Sequence, residues 1–143
     1  MTVHLLKLCV GAETIDDLRG WVEKRVLENK RAGFGSVHHH LTRMHPRREA
    51  ELLNGGSIYW VIKGVVQVRQ VIVGFEKRIG ADQITRTAIL LEPELHPTHP
   101  QNRRAFQGWR YLTSADAPDD LVIGSGKELP SELITELANL GLL

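Results

Sequence analysis

Cysteine is almost missing from this sequence of 143 residues, and so are long apolar runs. The single cysteine, Cys9, excludes an internal disulfide framework and is typical of a reducing compartment, so we expect a cytoplasmic protein. No apolar run approaches the roughly 20 residues that a helix needs to cross a bilayer, so we expect no membrane span. The N-terminal segment has no basic leader, and its apolar residues, Val3–Val10, are interpreted as a strand.

The motifs of common enzyme classes are also absent. The sequence contains no HExxH or CxxC pattern, no GxSxG nucleophile elbow and no GxGxxG fingerprint. Gly126-Lys127 is followed by Glu128 rather than a hydroxyl residue, so it does not match a phosphate loop. Metalloprotease, hydrolase and dinucleotide-binding functions therefore lose their motif support, and we expect no cofactor.

The composition is that of a globular domain. Hydrophobic residues make up 42% of the chain and charged residues 24%, which predicts one domain over residues 1–143, as a monomer or a small homo-oligomer. The net charge of +1 conceals an asymmetry. Residues 38–110 carry eleven Lys/Arg and six Asp/Glu, whereas residues 111–143 carry one Lys and six acids. The middle of the chain is therefore expected to face an anionic partner.

Local patterns predict an α+β fold with about three helices and a small, mostly antiparallel sheet, either curled or closed into a pseudobarrel. Thr14 is placed to cap the first helix, and Asn54-Gly55-Gly56 to end a short second helix. Pro93, Pro97 and Pro100 predict an extended loop. The other predicted elements are strands over Val37–Met44, Ser57–Lys63, Val65–Phe75 and Gln83–Leu91, a strand or ordered loop over Phe106–Leu112, and a helix over Pro130–Leu143.

Three stretches carry a resemblance that runs over essentially the whole chain. They are His4–Ala12, then Thr42–Gly64 with Arg69-Gln70, and Arg103–Leu112. With these stretches the sequence resembles a bacterial family of small proteins described only as domain of unknown function family 1489. That resemblance implies no activity.

A weaker resemblance is to the PUA and ASCH superfamily of small pseudobarrels. It rests on a strand at Leu41–Met44, a short helix at Pro46–Leu53, the Gly55-Gly56 turn and the strands that follow. The resemblance implies binding of RNA or a modified nucleotide beside the short helix. Tyr59-Trp60 stand where that superfamily usually has a charged residue. A likeness of fold does not by itself establish function.

Basic and aromatic residues form the leading candidate site. Arginine forks bind phosphate through two hydrogen bonds and aromatic rings stack on unpaired bases, so this composition favours a module that binds RNA or a nucleotide. The alternative is structural, with the arginines on a solvated helix face and the tryptophans in the core. The candidate residues are Arg43, Arg47, Arg48, Tyr59, Lys63, Arg69, Arg104, Trp109 and Arg110.

Histidines supply two further hypotheses. Strand alternation places His38 and His40 on one face, and with His45 they are candidate metal ligands if His96 and His99 converge with them. A histidine from 38–40, or His45, is also a candidate general base in a small enzyme that acts on an anionic or nucleotide substrate. A third alternative is a scaffold or self-associating protein whose exposed aromatic residues form an interface.

Overall fold

The computed structural model describes residues 2–104 and 106–121, which combine helices with one sheet. The predicted helix at 130–143 lies outside the described residues. In chain order the elements are β1 (Val3–Leu8), α1 (Ile15–Arg31), β2 (His38–Thr42), α2 (Glu49–Leu52), β3 (Ser57–Ile62), β4 (Val65–Ile79), β5 (Thr85–Leu91), β6 (His96–Asn102) and β7 (Trp109–Thr113). Within the described ranges no helix is long and apolar enough to cross a membrane.

A capping box starts α1 at the predicted residue. The Thr14 hydroxyl accepts a hydrogen bond from the Asp17 amide at 3.2 Å, and the Asp17 carboxylate accepts one from the Thr14 amide at 3.2 Å. These bonds satisfy amide groups that a helix start leaves without partners. Ile15, Leu18 and Val22 are buried, so α1 presents one apolar side to the sheet.

The seven strands of the described residues form one open, mostly antiparallel sheet. Six of them follow the order β2-β5-β4-β3-β1-β7, and β6 pairs with β4 outside this order. Among the described strands, only β1 and β3 pair in parallel, and the connection between them includes α1. In the described residues β2 does not pair with β7, so the predicted pseudobarrel is wrong. The sheet nevertheless curls, since the His40 ring on β2 contacts the Trp60 ring on β3 edge-on at 5.3 Å between centroids.

The proline-containing segment after β5 is partly a strand, so the prediction of an extended loop there was wrong. β5 and β6 pair with β4 in succession, with Leu91 opposite Ile72 and His96 opposite Arg69. Pro97 sits in β6 opposite Val68. A short strand beside a long one tolerates proline where the missing N–H is not needed for pairing.

The two faces of the sheet have separate apolar clusters. On the helix face, Leu5 and Trp60 pack against Leu18 of α1. On the opposite face, which we call the loop face, Leu6 and Leu112 form the centre of a smaller cluster. Successive side chains of a strand point to opposite faces, so β1 and β7 each contribute to both. Adjacent residues of β1, and adjacent residues of β7, therefore lie on opposite sides of the sheet.

Candidate functional site

Arg69 lies in an ion pair. Its Nε and Nη2 donate to the two carboxylate oxygens of Asp120 at 2.7 and 2.8 Å, and its Nη1 donates to the Ser57 hydroxyl at 2.9 Å. The hydrogen bonds from Arg69 hold the pKa of Asp120 below its usual range. This two-pronged contact fixes the 119–121 segment beside β4 and β6, so Arg69 has a structural role rather than a free cationic end.

Arg47 and Arg48 contact Tyr111 of β7. Both backbone amides donate to the Tyr111 hydroxyl, at 2.9 and 3.1 Å. The Arg48 guanidinium lies 5.3 Å from the centre of the Tyr111 ring and also pairs with Glu51. The Arg48 side chain therefore connects α2 to β7, whereas the Arg47 side chain is exposed.

Trp109 packs beside Tyr111, next to the segment that precedes α2. Its indole Nε1 donates to the Met44 carbonyl at 3.0 Å, and its ring meets the Tyr111 ring edge-on at 4.9 Å between centroids. Tyr59 is buried on the loop face, where its ring contacts His4. Both predicted stacking residues thus contact protein groups, which favours the structural interpretation of these rings.

The remaining predicted cations do not all meet. Lys63 lies in the turn after β3, with its ammonium 4.0 Å from a Glu13 carboxylate oxygen, and Arg43 is exposed on the segment after β2. Arg104 and Arg110 do share one surface, a groove of about 610 Å³ on the loop face. We call it the arginine groove, and its main lining residues are Arg103, Arg104, Phe106, Arg110, Leu112 and Asp116.

Two guanidinium groups of the arginine groove, those of Arg103 and Arg110, contact neutral partners. Arg103 donates twice to the Gln101 side-chain oxygen, at 2.9 and 2.7 Å, and Arg110 lies over the Phe106 ring at 5.0 Å. In the part of the chain that the structure describes, no carboxylate pairs with Arg103, Arg104 or Arg110. These positive charges are therefore available to an anion.

A second cavity lies on the helix face, between α1 and the ends of β1 and β2. We call it the histidine pocket. It has a volume of about 180 Å³, and its main lining residues are Lys7, Trp21, Arg25, His38, His40 and Trp60. His39 also borders it, whereas none of the lining residues is acidic and none of the predicted arginines is among them.

Burial keeps the histidines of this pocket neutral. Burial first, and then the charges of Arg25 and neighbouring groups, lowers the pKa of His38 to about 4. Burial and Lys7 lower the pKa of His40 to about 3, and burial and Arg25 lower that of His39 to about 4. Such imidazoles are unprotonated at neutral pH but are weak bases, which is unfavourable for general base catalysis.

The structure does not assemble the predicted metal ligands. His45 bonds Thr87 at 2.9 Å, at the opposite end of β2 from His38. Across the described ranges, the single group of three nearby ligand side chains is Glu92, Glu94 and His96, and it includes none of the three candidates. We therefore place no metal site at His38, His40 and His45.

His4 and Ser114 contact each other as a catalytic histidine and serine would, but the hydrogen bond between them runs in the wrong direction for catalysis. The Ser57 amide donates to His4 Nδ1 at 3.0 Å, so Nδ1 accepts and the ring proton of the neutral imidazole lies on Nε2. Nε2 is 3.2 Å from the Ser114 hydroxyl and donates to it. A base that activates serine must accept from the hydroxyl, so this pair does not generate a nucleophile.

Sequence reasoning missed Lys7 and Arg25 as site residues. One signal was present: strand alternation places Lys7 on the same face as Leu5 and Cys9, which are buried. Burial lowers the pKa of the Lys7 ammonium and raises the pKa of the Cys9 thiol to about 12, so Cys9 is not a reactive thiolate. A lysine on an otherwise apolar face indicates either an unusual packing contact or a binding site.

The sequence model of one protein family matches residues 5–143, and that family is described as a protein of unknown function, DUF1489. The chain belongs to the DUF1489 family. The match confirms the family resemblance drawn from the sequence. No curated protein and no solved structure matches this DUF1489 protein, so the resemblance to PUA-like proteins is not confirmed.

Proposed function

We propose that this DUF1489 protein binds RNA or a nucleotide, with phosphate groups held in the arginine groove. One observation carries the proposal: Arg103, Arg104 and Arg110 line one groove, and none of them pairs with a carboxylate of the described residues. A guanidinium group binds phosphate through parallel hydrogen bonds, and holding it in place beforehand lowers the entropy cost of binding. Asp116, the acidic lining residue, offsets only part of this charge.

The dimensions of the groove suit a nucleotide. Its volume of about 610 Å³ falls within the range of known small-molecule sites, roughly 300–1,000 Å³. The Arg110 guanidinium carbon lies 5.0 Å from the centre of the Phe106 ring, and both a guanidinium plane and an aromatic ring are surfaces on which an unpaired base stacks. By contrast, none of the histidines at 38–40 or 45 lines this groove, so the enzyme alternative gains no support from it.

The proposal predicts that binding depends on salt and that it weakens when the Arg104 and Arg110 side chains are removed. A labelled single-stranded oligouridine should bind at low salt, and the R104A/R110A variant should bind more weakly because two phosphate contacts are gone. The slope of log K against log salt concentration should fall by about 1.4 for two contacts with a single strand. Fluorescence anisotropy at several salt concentrations measures this slope, and uridine monophosphate as competitor separates nucleotide binding from binding of the strand.

A matched control removes the same charge elsewhere. The R31A/R43A variant loses two exposed arginines that do not line the groove, so it should keep the slope of the wild type. An equal effect of both double variants would reduce the binding to a general attraction of a basic surface. An absence of oligouridine and nucleotide binding at low salt would remove the proposal.

A further inference from the structure

The histidine pocket contains a buried polar atom that the fold leaves without a partner. His38 is 6% exposed, and its Nδ1 has no hydrogen-bond partner among the described residues. A buried polar group without a hydrogen-bond partner destabilises the fold. By comparison, both nitrogens of the neighbouring His39 are bonded, to Asn29 at 3.0 Å and to Arg25 at 3.0 Å. The unpaired nitrogen therefore belongs to a residue that borders an open cavity.

The pocket also contains a positive charge that the fold does not neutralise. Lys7 is half-buried on the helix face, and among the described residues no carboxylate lies within ion-pair distance of its ammonium. Arg25 adds a second positive charge. Its ion pair with Glu28 is a loose one, with 3.7 Å between the Arg25 Nε and the Glu28 carboxylate oxygen. No aspartate or glutamate lines the cavity. A low-dielectric cavity with uncompensated positive charge favours an anion.

The walls of the pocket are mostly apolar and aromatic. Trp60 is 2% exposed and Trp21 borders the entrance, where 44% of its surface is exposed. The His40 ring stands edge-on to Trp60 and closes one side. A cavity of about 150 Å³ holds a benzene molecule, so the 180 Å³ here accommodates one ring or a short chain with a charged end.

We propose that the histidine pocket is a second ligand site, which binds a small organic carboxylate. The carboxylate lies between the Lys7 ammonium and the His38 imidazole, whose ring N–H donates to it, and the apolar part of the molecule packs on Trp60. This site lies on the helix face, opposite the arginine groove, so it stands or falls independently of RNA or nucleotide binding.

Benzoate is the probe that tests the proposal, with benzyl alcohol as its neutral counterpart. Benzoate should bind with a Kd of about 1 mM or tighter, the scale reached by a small ligand with one charged contact. Calorimetry measures the affinity, and histidine ring-proton NMR locates the ligand, because His38 and His40 should shift while His45 should not. Benzyl alcohol should bind at least about tenfold more weakly, since it lacks the charge that Lys7 attracts.

Two variants separate binding from folding. Lys7→Met should weaken benzoate binding about tenfold, whereas Lys30→Met at the exposed end of α1 should leave it unchanged. His38→Leu removes the unpaired nitrogen, so it should weaken binding without lowering the melting temperature. Unshifted His38 and His40 protons at saturating benzoate, equal affinity for benzyl alcohol, or full benzoate affinity in Lys7→Met would each overturn the proposal.

Discussion

Gly56→Ala is expected to lower the free energy of unfolding by about 3 kcal/mol, because there is no room for a methyl group. Gly56 joins α2 to β3, and a Cβ at this position would overlap the Leu52 carbonyl and lie 2.5 Å from the Val3 carbonyl oxygen. Both obstacles are backbone atoms. The Gly56 amide bonds Leu52 and its carbonyl accepts from the Ile72 amide, so a shift of Gly56 weakens these bonds as well.

Gly20→Ala is the matched control for this substitution. Gly20 lies in the middle of α1, and nothing stands within 4 Å of the position that its Cβ would take. Alanine there should raise the free energy of unfolding by about 0.5–1 kcal/mol, because glycine is a poor helix former. Urea unfolding of the two variants gives both values. A Gly56→Ala protein within about 1 kcal/mol of the wild type would contradict this account of the junction.

Acidification from about pH 7 to about pH 4.5 is expected to unfold the protein or reduce its stability severely. The unfolded chain binds a proton at each histidine near the ordinary pKa of 6.5, whereas the folded chain does so at His38 and His39 only near 4 and at His40 near 3. Between pH 7 and pH 4.5 the unfolded state therefore binds more protons than the folded state. The free energy of unfolding consequently decreases as the pH is lowered. For His38 alone the shift corresponds to about 3 kcal/mol.

The pH range identifies the residues responsible. Hydrogen bonds from Arg86 and the Ile84 amide lower the pKa of Asp82 to about 2. Asp82 therefore still carries its charge in the folded protein at pH 4.5, and protonation of Asp82 affects stability only at more acidic pH. His38→Leu should reduce the dependence between about pH 6.5 and 4.5. The measurement is the urea midpoint at several pH values, and equal midpoints at pH 7 and 5 would show that these histidines are not buried.

Local signals predicted those parts of the fold that depend on few neighbours. The cap at Thr14 and the end of the second helix at Asn54-Gly55 follow from backbone hydrogen bonding within a few residues, and both are present. The prediction of a loop at Pro97 was wrong because local rules cannot reveal that β4 is long enough to pair with β5 and then β6.

The candidate site was predicted only in part, for a reason of strand geometry. Arg110 and Trp109 are adjacent in sequence, but they project to opposite faces of β7, so they could not line one cleft. Arg69 was also selected as a ligand contact, yet its charge is used by Asp120, which is 51 residues away. Sequence alone does not reveal such distant partners, so it overestimates how many arginines are free.

The place of β1 in the sheet has a consequence for biosynthesis. β1 is made first, but its neighbours are β3, more than fifty residues later, and β7, which ends at Thr113. Such high contact order slows folding, because the chain must close large loops before the central pairings form. During synthesis on the ribosome, the apolar segment Val3–Leu8 remains exposed, and its backbone amides have no strand partners until β3 and β7 have been made. A transcript cut short before Trp109 would yield a product with β1 at the sheet margin, where it is open to aggregation with other copies.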